Sequence, residues 1–224
     1  MHTRSNNSNG FIFDLDGTLV DSRIQIQVSL NKARENSQLP AATLDFVQSQ
    51  LGLVVENLFS DLDLPASELP GLIQAFRDHL LVEVKNGNPV YEGVVPFIQK
   101  VKHLGIPIGI ATTKPTYLAI EVIANSDLRG LVDFIQGTDG FAPKPDPEVL
   151  RRCMQGLEVE NAVMFGDRKE DIQAAKTLDI SSIGIAQSAH SVDDLLGEGA
   201  NFAFRNFREL DLFFDQIIHL INFD

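Results

Sequence analysis

The expected fold is α/β, a doubly wound and mainly parallel sheet with a small helical domain inserted near its start. Three observations lead there. From Tyr91 onward, short apolar runs alternate with helical patterns, as in parallel sheets covered on both faces. Residues 23–90 carry helical periodicity and no strand pattern. The polar residues with chemical potential fall just past the carboxyl ends of apolar runs, the edge where open α/β sheets place ligands.

In chain order, residues 10–15 form the first apolar run, and Gly17 permits a tight turn after it. Ile24, Val28, Leu30 and Ala33 predict a first helix ending between Asn36 and Pro40. Leu44, Val47, Leu51 and Leu58 predict a second, with a break near Gly52 and Val54-Val55. Residues 62–70 connect to the clearest amphipathic stripe, Leu69, Leu72, Ile73, Phe76, Leu80 and Val84, which Gly87-Asn88-Pro89 closes. Beyond Tyr91, helices are expected at 95–104, 117–125, 146–157 and 171–178, and strands at 106–111, 134–135, 162–165 and 182–185. A last strand at 201–204 and a closing helix at 207–221 complete the pattern.

Composition narrows the function. The chain has 224 residues, 44% hydrophobic and 22% charged, enough for a substantial core. A net charge of −13 argues against nucleic acid or an anionic membrane as partner, since both are bound through Lys/Arg patches. It also means that a phosphorylated substrate would need local positive charge at its site. Cys153, the only cysteine, excludes an intramolecular disulfide and lies on the apolar face of a helix with Val149, Leu150, Met154 and Leu157. Residues 1–9 are polar and lack the apolar core of a signal peptide, so a disordered leader and a cytoplasmic location are expected. No stretch approaches the roughly 18 apolar residues of a membrane span. The five histidines show no metal-ligand spacing.

The chemical centre is Phe11-Ile12-Phe13-Asp14-Leu15-Asp16-Gly17-Thr18. Two carboxylates one residue apart on an extended chain share a face, and burying both would force one to take a proton unless a cation joined them. Mg2+ suits such a site because it takes hard oxygen ligands and often bridges carboxylates to phosphate. Three further stretches follow in order: Ile108-Gly109-Ile110-Ala111-Thr112-Thr113-Lys114, then Ala142-Pro143-Lys144-Pro145-Asp146-Pro147, then Val163-Met164-Phe165-Gly166-Asp167-Arg168-Lys169-Glu170-Asp171.

Together these four motifs resemble the haloacid dehalogenase superfamily, specifically its phosphatases with a helical cap inserted after the first motif. The resemblance runs from Gly10 to about Phe207 and implies a catalytic core of residues 10–22 and 91–224 with a cap of 23–90. It implies that Asp14 is the nucleophile, forming an aspartyl-phosphate, and Asp16 the acid/base. Thr112 matches the hydroxyl that donates to a phosphoryl oxygen, with the Thr113 amide as a second donor. Lys144 matches the lysine that neutralises the nucleophile and the phosphoryl group, with Lys114 as competitor. Asp14, Asp16, Asp167 and Asp171 are the implied Mg2+ site, Asp171 through a water or by orienting Lys144. The family's relatives often carry a small hydroxyl residue where Arg168 stands.

Near Tyr91, Thr112 and Lys144 the chain looks most like phosphoglycolate phosphatases. The expected function is therefore Mg2+-dependent hydrolysis of a small phosphorylated metabolite by a monomer or weak homodimer. A nucleotidase or pyrophosphatase is the alternative within the family. Outside it, the alternative is a silent protein that binds a phosphorylated ligand, though such a module has no need of Asp16. A sugar-phosphate mutase is not expected, because no basic anchor lies around residues 43–58. Asp21 and Ser22, at the junction of core and insertion, are expected to cap a helix.

Overall fold

A computed structural model describes residues 9–188 and 190–221, which form one six-stranded parallel sheet with an inserted helical unit. Strand β1 (Asn9–Phe13) leads into the insertion. This contains helix α1 (Arg23–Asn36), α2 (Leu44–Gln50), a 3-10 turn (Val55–Phe59) and α3 (Leu69–Val84). The chain returns through α4 (Val94–His103), β2 (Ile108–Ala111), α5 (Thr116–Ala124), β3 (Phe134–Gln136) and α6 (Glu148–Leu157). It continues with β4 (Asn161–Gly166), α7 (Lys169–Thr177), β5 (Ser181–Ile185), α8 (Val192–Gly197) and β6 (Phe202–Phe204). Helices α9 (Phe207–Asp211) and α10 (Phe214–Ile221) close the described chain.

The strand order is β3-β2-β1-β4-β5-β6, with every neighbouring pair parallel. This puts β1 between β2 and β4, so three of the four motifs leave adjacent strands on the same edge. Successive residues of β1 point to opposite faces. Phe11 and Phe13 join a cluster with Phe97, Phe165, Phe207 and Phe214, while Ile12 packs with Val149, Leu150, Cys153 and Met164 across the sheet. The Phe13 and Phe165 rings stack with centroids 4.5 Å apart, a contact worth about 0.5–1.5 kcal/mol beyond area burial. Gly109 of β2 lets α6 close on the sheet, since a Cβ there would meet Cys153 Sγ at 2.5 Å. Cys153 itself is buried, and burial pushes its thiol pKa well up, in keeping with a packing role.

Most expected elements are present, with differences that have local causes. The break expected near Gly52 is present: α2 stops at Gln50, and Gly52, at φ +77°, turns the chain before the 3-10 segment. The expected single helix at 207–221 is two, separated at Leu212-Phe213. Helix α8 is an addition, although Ser191 and Asp194 form a capping box that the sequence already carries. Ser22 stands at the N-cap of α1, but its hydroxyl makes no cap bond; the Arg23 amide bonds instead to Asp21 Oδ1 at 3.4 Å. Asn9, expected in the leader, opens β1, and the rest of the leader lies outside the described residues. Among the described residues, no helix is long and apolar enough to cross a membrane.

Candidate active site

Asp14 follows β1 directly, its amide bonding to the Phe165 carbonyl of β4 at 2.8 Å. Asp167 follows β4, and Asp171 sits in the first turn of α7, where its Oδ2 accepts from the Arg168 amide at 3.1 Å. These three carboxylates are buried and offer oxygen atoms within 4.8 Å of one another. Lys144, aimed from the loop before α6, donates to Asp14 Oδ1 at 2.6 Å, Asp171 Oδ1 at 2.5 Å and the Ala111 carbonyl at 3.0 Å. Asp167 accepts from Thr18 Oγ1 at 2.9 Å and from the Ser188 hydroxyl. Gly17 is required where it stands: its φ is +92°, and a Cβ would meet Asp167 Oδ2 at 2.7 Å.

One lysine does not balance three buried acids, and Asp14 and Asp167 both hold their protons more tightly than usual. Burial raises Asp14 to about 8, with repulsion from Asp171 and Asp167 adding to it against the pull of Lys144. Burial and Asp171 likewise raise Asp167 to about 6, against hydrogen bonds from Ser188 and Thr18. Burial opposes the Lys144 ammonium, but Asp14 and Asp171 outweigh it and hold its pKa above the ordinary value. A hard divalent cation fits this donor set, because it would satisfy carboxylate oxygens that are otherwise held together out of water.

Asp16 is not in the carboxylate cluster. Its Oδ2 pairs with Lys114 Nζ at 3.1 Å, and its Oδ1 is buried without a partner. It lines a cavity of about 300 Å3 between the sheet edge and the insertion, together with Thr113, Lys114, Gly52 and Phe76. The two carboxylates that look alike in the sequence are thus separated into different environments.

The model of the haloacid dehalogenase-like hydrolase family matches residues 11–185. The chain belongs to this family. A phosphoglycolate phosphatase of Rhodobacter capsulatus is 33% identical over 172 residues, covering 74% of this chain and 78% of that protein. One from Colwellia psychrerythraea is 28% identical over 211 residues, covering 89% and 93%. Among solved structures, a haloacid dehalogenase-like hydrolase of Streptococcus pneumoniae superposes with a TM-score of 0.81 at 22% identity, covering 94% of this chain and all of that one, which supports the fold.

Within this hydrolase, the second motif serves both the turn and the insertion. Thr112 is buried after β2, and its Oγ1 accepts from the Lys114 amide at 3.2 Å, steadying the turn rather than capping α5, which begins after Pro115. Thr113 Oγ1 instead donates to the Gly52 carbonyl of the insertion at 2.9 Å. Arg168 also reaches across: its Nη2 donates to the Ser49 carbonyl at 3.0 Å, and its stem lies 3.1 Å from where a Gly52 Cβ would be. Gln48 Nε2 completes the contact from the other side, donating to the Ser188 carbonyl at 3.1 Å.

The motif residues expected to meet do gather at this edge, but not all their partners are legible in the sequence. Lys114, expected as a rival for Lys144, takes a different acid. Thr18 belongs to the first motif, yet its bond to Asp167 spans 149 positions. Ser188, in a loop after β5, carries no local signal. Among the histidines, His103 Nδ1 contacts the Gln99 carbonyl at 2.7 Å and His79 contacts Asn36, both outside the site.

Proposed function

We propose that this protein is a Mg2+-dependent phosphatase of small phosphorylated metabolites that works through an aspartyl-phosphate on Asp14. The observation that carries the reading is the separation of Asp14 from Asp16. One lies against Lys144 among buried carboxylates, and the other faces the cavity beside Lys114. A nucleophile and an acid/base need such distinct settings. The phosphoglycolate phosphatases among its relatives favour a phosphomonoester substrate.

In this reading, Asp14 attacks phosphorus in line while the bond to the ester oxygen breaks. Asp16 gives its proton to that leaving oxygen. Asp16 then takes a proton from an incoming water, whose oxygen bonds to phosphorus and returns the Asp14 carboxylate as phosphate leaves. Thr112, the Thr113 amide and Lys144 hold the phosphoryl oxygens. Asp14, Asp167 and Asp171 are the residues that would hold Mg2+, which would supply positive charge to offset the acids and the phosphoryl group. Helices α1–α3 act as a cap over this site, with substrate choice in the cavity they cover.

Phosphate release from phosphoglycolate, nucleoside monophosphates, sugar phosphates and pyrophosphate, with Mg2+ or with chelator, tests the proposal beside Asp14→Asn. Turnover by the parent that requires Mg2+ and is lost in the variant is expected. Equal turnover by both would remove Asp14 as nucleophile, and Mg2+ binding without turnover of any substrate would favour a binding protein.

A further inference from the structure

The cavity beside Asp16 contains a cation that the reaction above does not use. Arg77, on α3, lines it, and among the described residues its guanidinium has neither a hydrogen bond nor an ion pair. Its Nε is buried and unpartnered, as are those of Arg34 and Arg168, and the residue as a whole is half-buried. The setting makes this unusual, since the chain has 31 acids against 18 basic residues. The insertion's other arginines have found theirs: Arg34 pairs with Asp61 and Arg23 with Asp21, each at 2.6 Å. Glu56 also lines the cavity, but it is exposed and forms no ion pair with Arg77. Arg77 differs from these arginines in leaving its whole guanidinium without an acceptor, so the position favours an anion supplied from outside the chain.

The remaining walls set the body of that anion. Ile26, Leu51, Val55, Leu58, Phe76 and Leu80 face the same space, a cavity of about 300 Å3. Glycolate would leave much of this apolar wall against water. Because Asp16 lines the cavity while Asp14 and Lys144 do not, the space lies on the leaving-group side of the reaction.

We propose that the preferred substrate is a phosphomonoester whose leaving group has an apolar body, larger than glycolate, ending in a second anionic group that Arg77 binds. This inference rests on the phosphatase reading and names its substrate class. It places the basic anchor on α3, outside the 43–58 segment where the sequence shows none. A guanidinium pairs bidentately with either carboxylate or phosphate, and both terminal groups are open to test.

The test uses three chain-length series of alkyl phosphates, ending in methyl, carboxylate or a second phosphate, assayed with Mg2+ on the parent, Arg77→Met and Arg77→Lys. For the parent, kcat/KM should peak at a chain longer than glycolate. At that length one anionic ending should exceed the methyl ending by about 10- to 100-fold. Arg77→Met should treat anionic and methyl endings alike, and Arg77→Lys should retain part of the preference. Which anion gains more identifies carboxylate or phosphate. A parent with no preference for an anionic ending, or one best on glycolate, overturns the proposal. So does an Arg77→Met variant that keeps the preference. If no series is hydrolysed, the phosphatase reading fails separately, and calorimetric binding of the matching phosphonates then decides: tighter binding of anionic endings that Arg77→Lys diminishes sustains the subsite, and equal or absent binding ends it.

Discussion

Arg168 Nη2 donates to the Ser49 carbonyl at 3.0 Å, so the residue next to Asp167 ties the sheet edge directly to the helical insertion. Thr113 does the same from the neighbouring strand through Gly52. Both donors are core side chains and both acceptors are backbone carbonyls of the insertion. If these bonds hold the insertion over the site, Arg168→Ala should raise KM by roughly tenfold while changing melting temperature little, given about 1.5–3 kcal/mol for a hydrogen bond to a charged group. Thr113→Val should act in the same direction, and a double variant whose effect falls short of the sum would show that the two bonds secure one closure. Steady-state kinetics with thermal melts provides the measurement.

The two aspartates of the first motif should fail in different ways. Asp14→Asn should abolish turnover. Asp16→Asn should slow it by about 10²–10⁴-fold on alkyl phosphates, the usual span for a lost general acid or base. With p-nitrophenyl phosphate, whose leaving group needs no proton, Asp16→Asn should release a burst of nitrophenol equal to the enzyme present and then stall. Rapid-mixing absorbance would record it, and a burst from Asp14→Asn would contradict the assigned roles.

The raised Asp14 and Asp167 give the metal-free protein a definite pH behaviour. Asp14 titrates at about 8 in the folded chain and near 3.8 when unconstrained. Between those values the folded state holds a proton that the unfolded state has lost. Stability without metal should therefore fall as pH rises from 4 to 8, by at most about 1.4 kcal/mol per pH unit from this group. Asp167 adds the same trend up to about 6. Mg2+ should reverse it, because binding must displace those protons and so tightens with pH. Melts at pH 6–9 in chelator and in Mg2+, with calorimetry in buffers of different ionisation enthalpy, would reveal the opposed slopes; a Mg2+ affinity independent of pH would show that no proton is displaced.

Arg34 is the most deeply buried charge of the insertion, fully enclosed and held by Asp61, the Leu58 carbonyl at 2.6 Å and the Pro40 carbonyl at 3.2 Å. Asp61→Ala would strand that guanidinium and should cost about 2–3 kcal/mol, less than a fully buried pair because the Asp61 side chain is 35% exposed. Arg34→Met, which removes the charge but keeps the volume, should cost less. Denaturant unfolding of both variants would test the order.

The alternation of apolar runs and helices determined the α/β class, and the four motifs, through their resemblance to a known superfamily, pointed to Asp14, Thr112, Lys144, Asp167 and Asp171. That information is local: a strand length, a turn glycine and a lysine between two prolines are all readable within a few residues. The pairings were decided only by tertiary structure. Lys144 meets Asp14 across 130 positions and Gln48 reaches the Ser188 carbonyl across 140, and nothing in either segment specifies its partner. The flanking prolines favour Lys144 over Lys114 in the sequence, but only the placement of their loops around β1 gives Lys114 to Asp16 and Lys144 to Asp14. Arg77 lies off the apolar stripe of α3, and only the packing of that helix brings it beside the cavity. Charge environment depends on which side chains share a low-dielectric space, and folding brings those side chains from segments far apart in the chain.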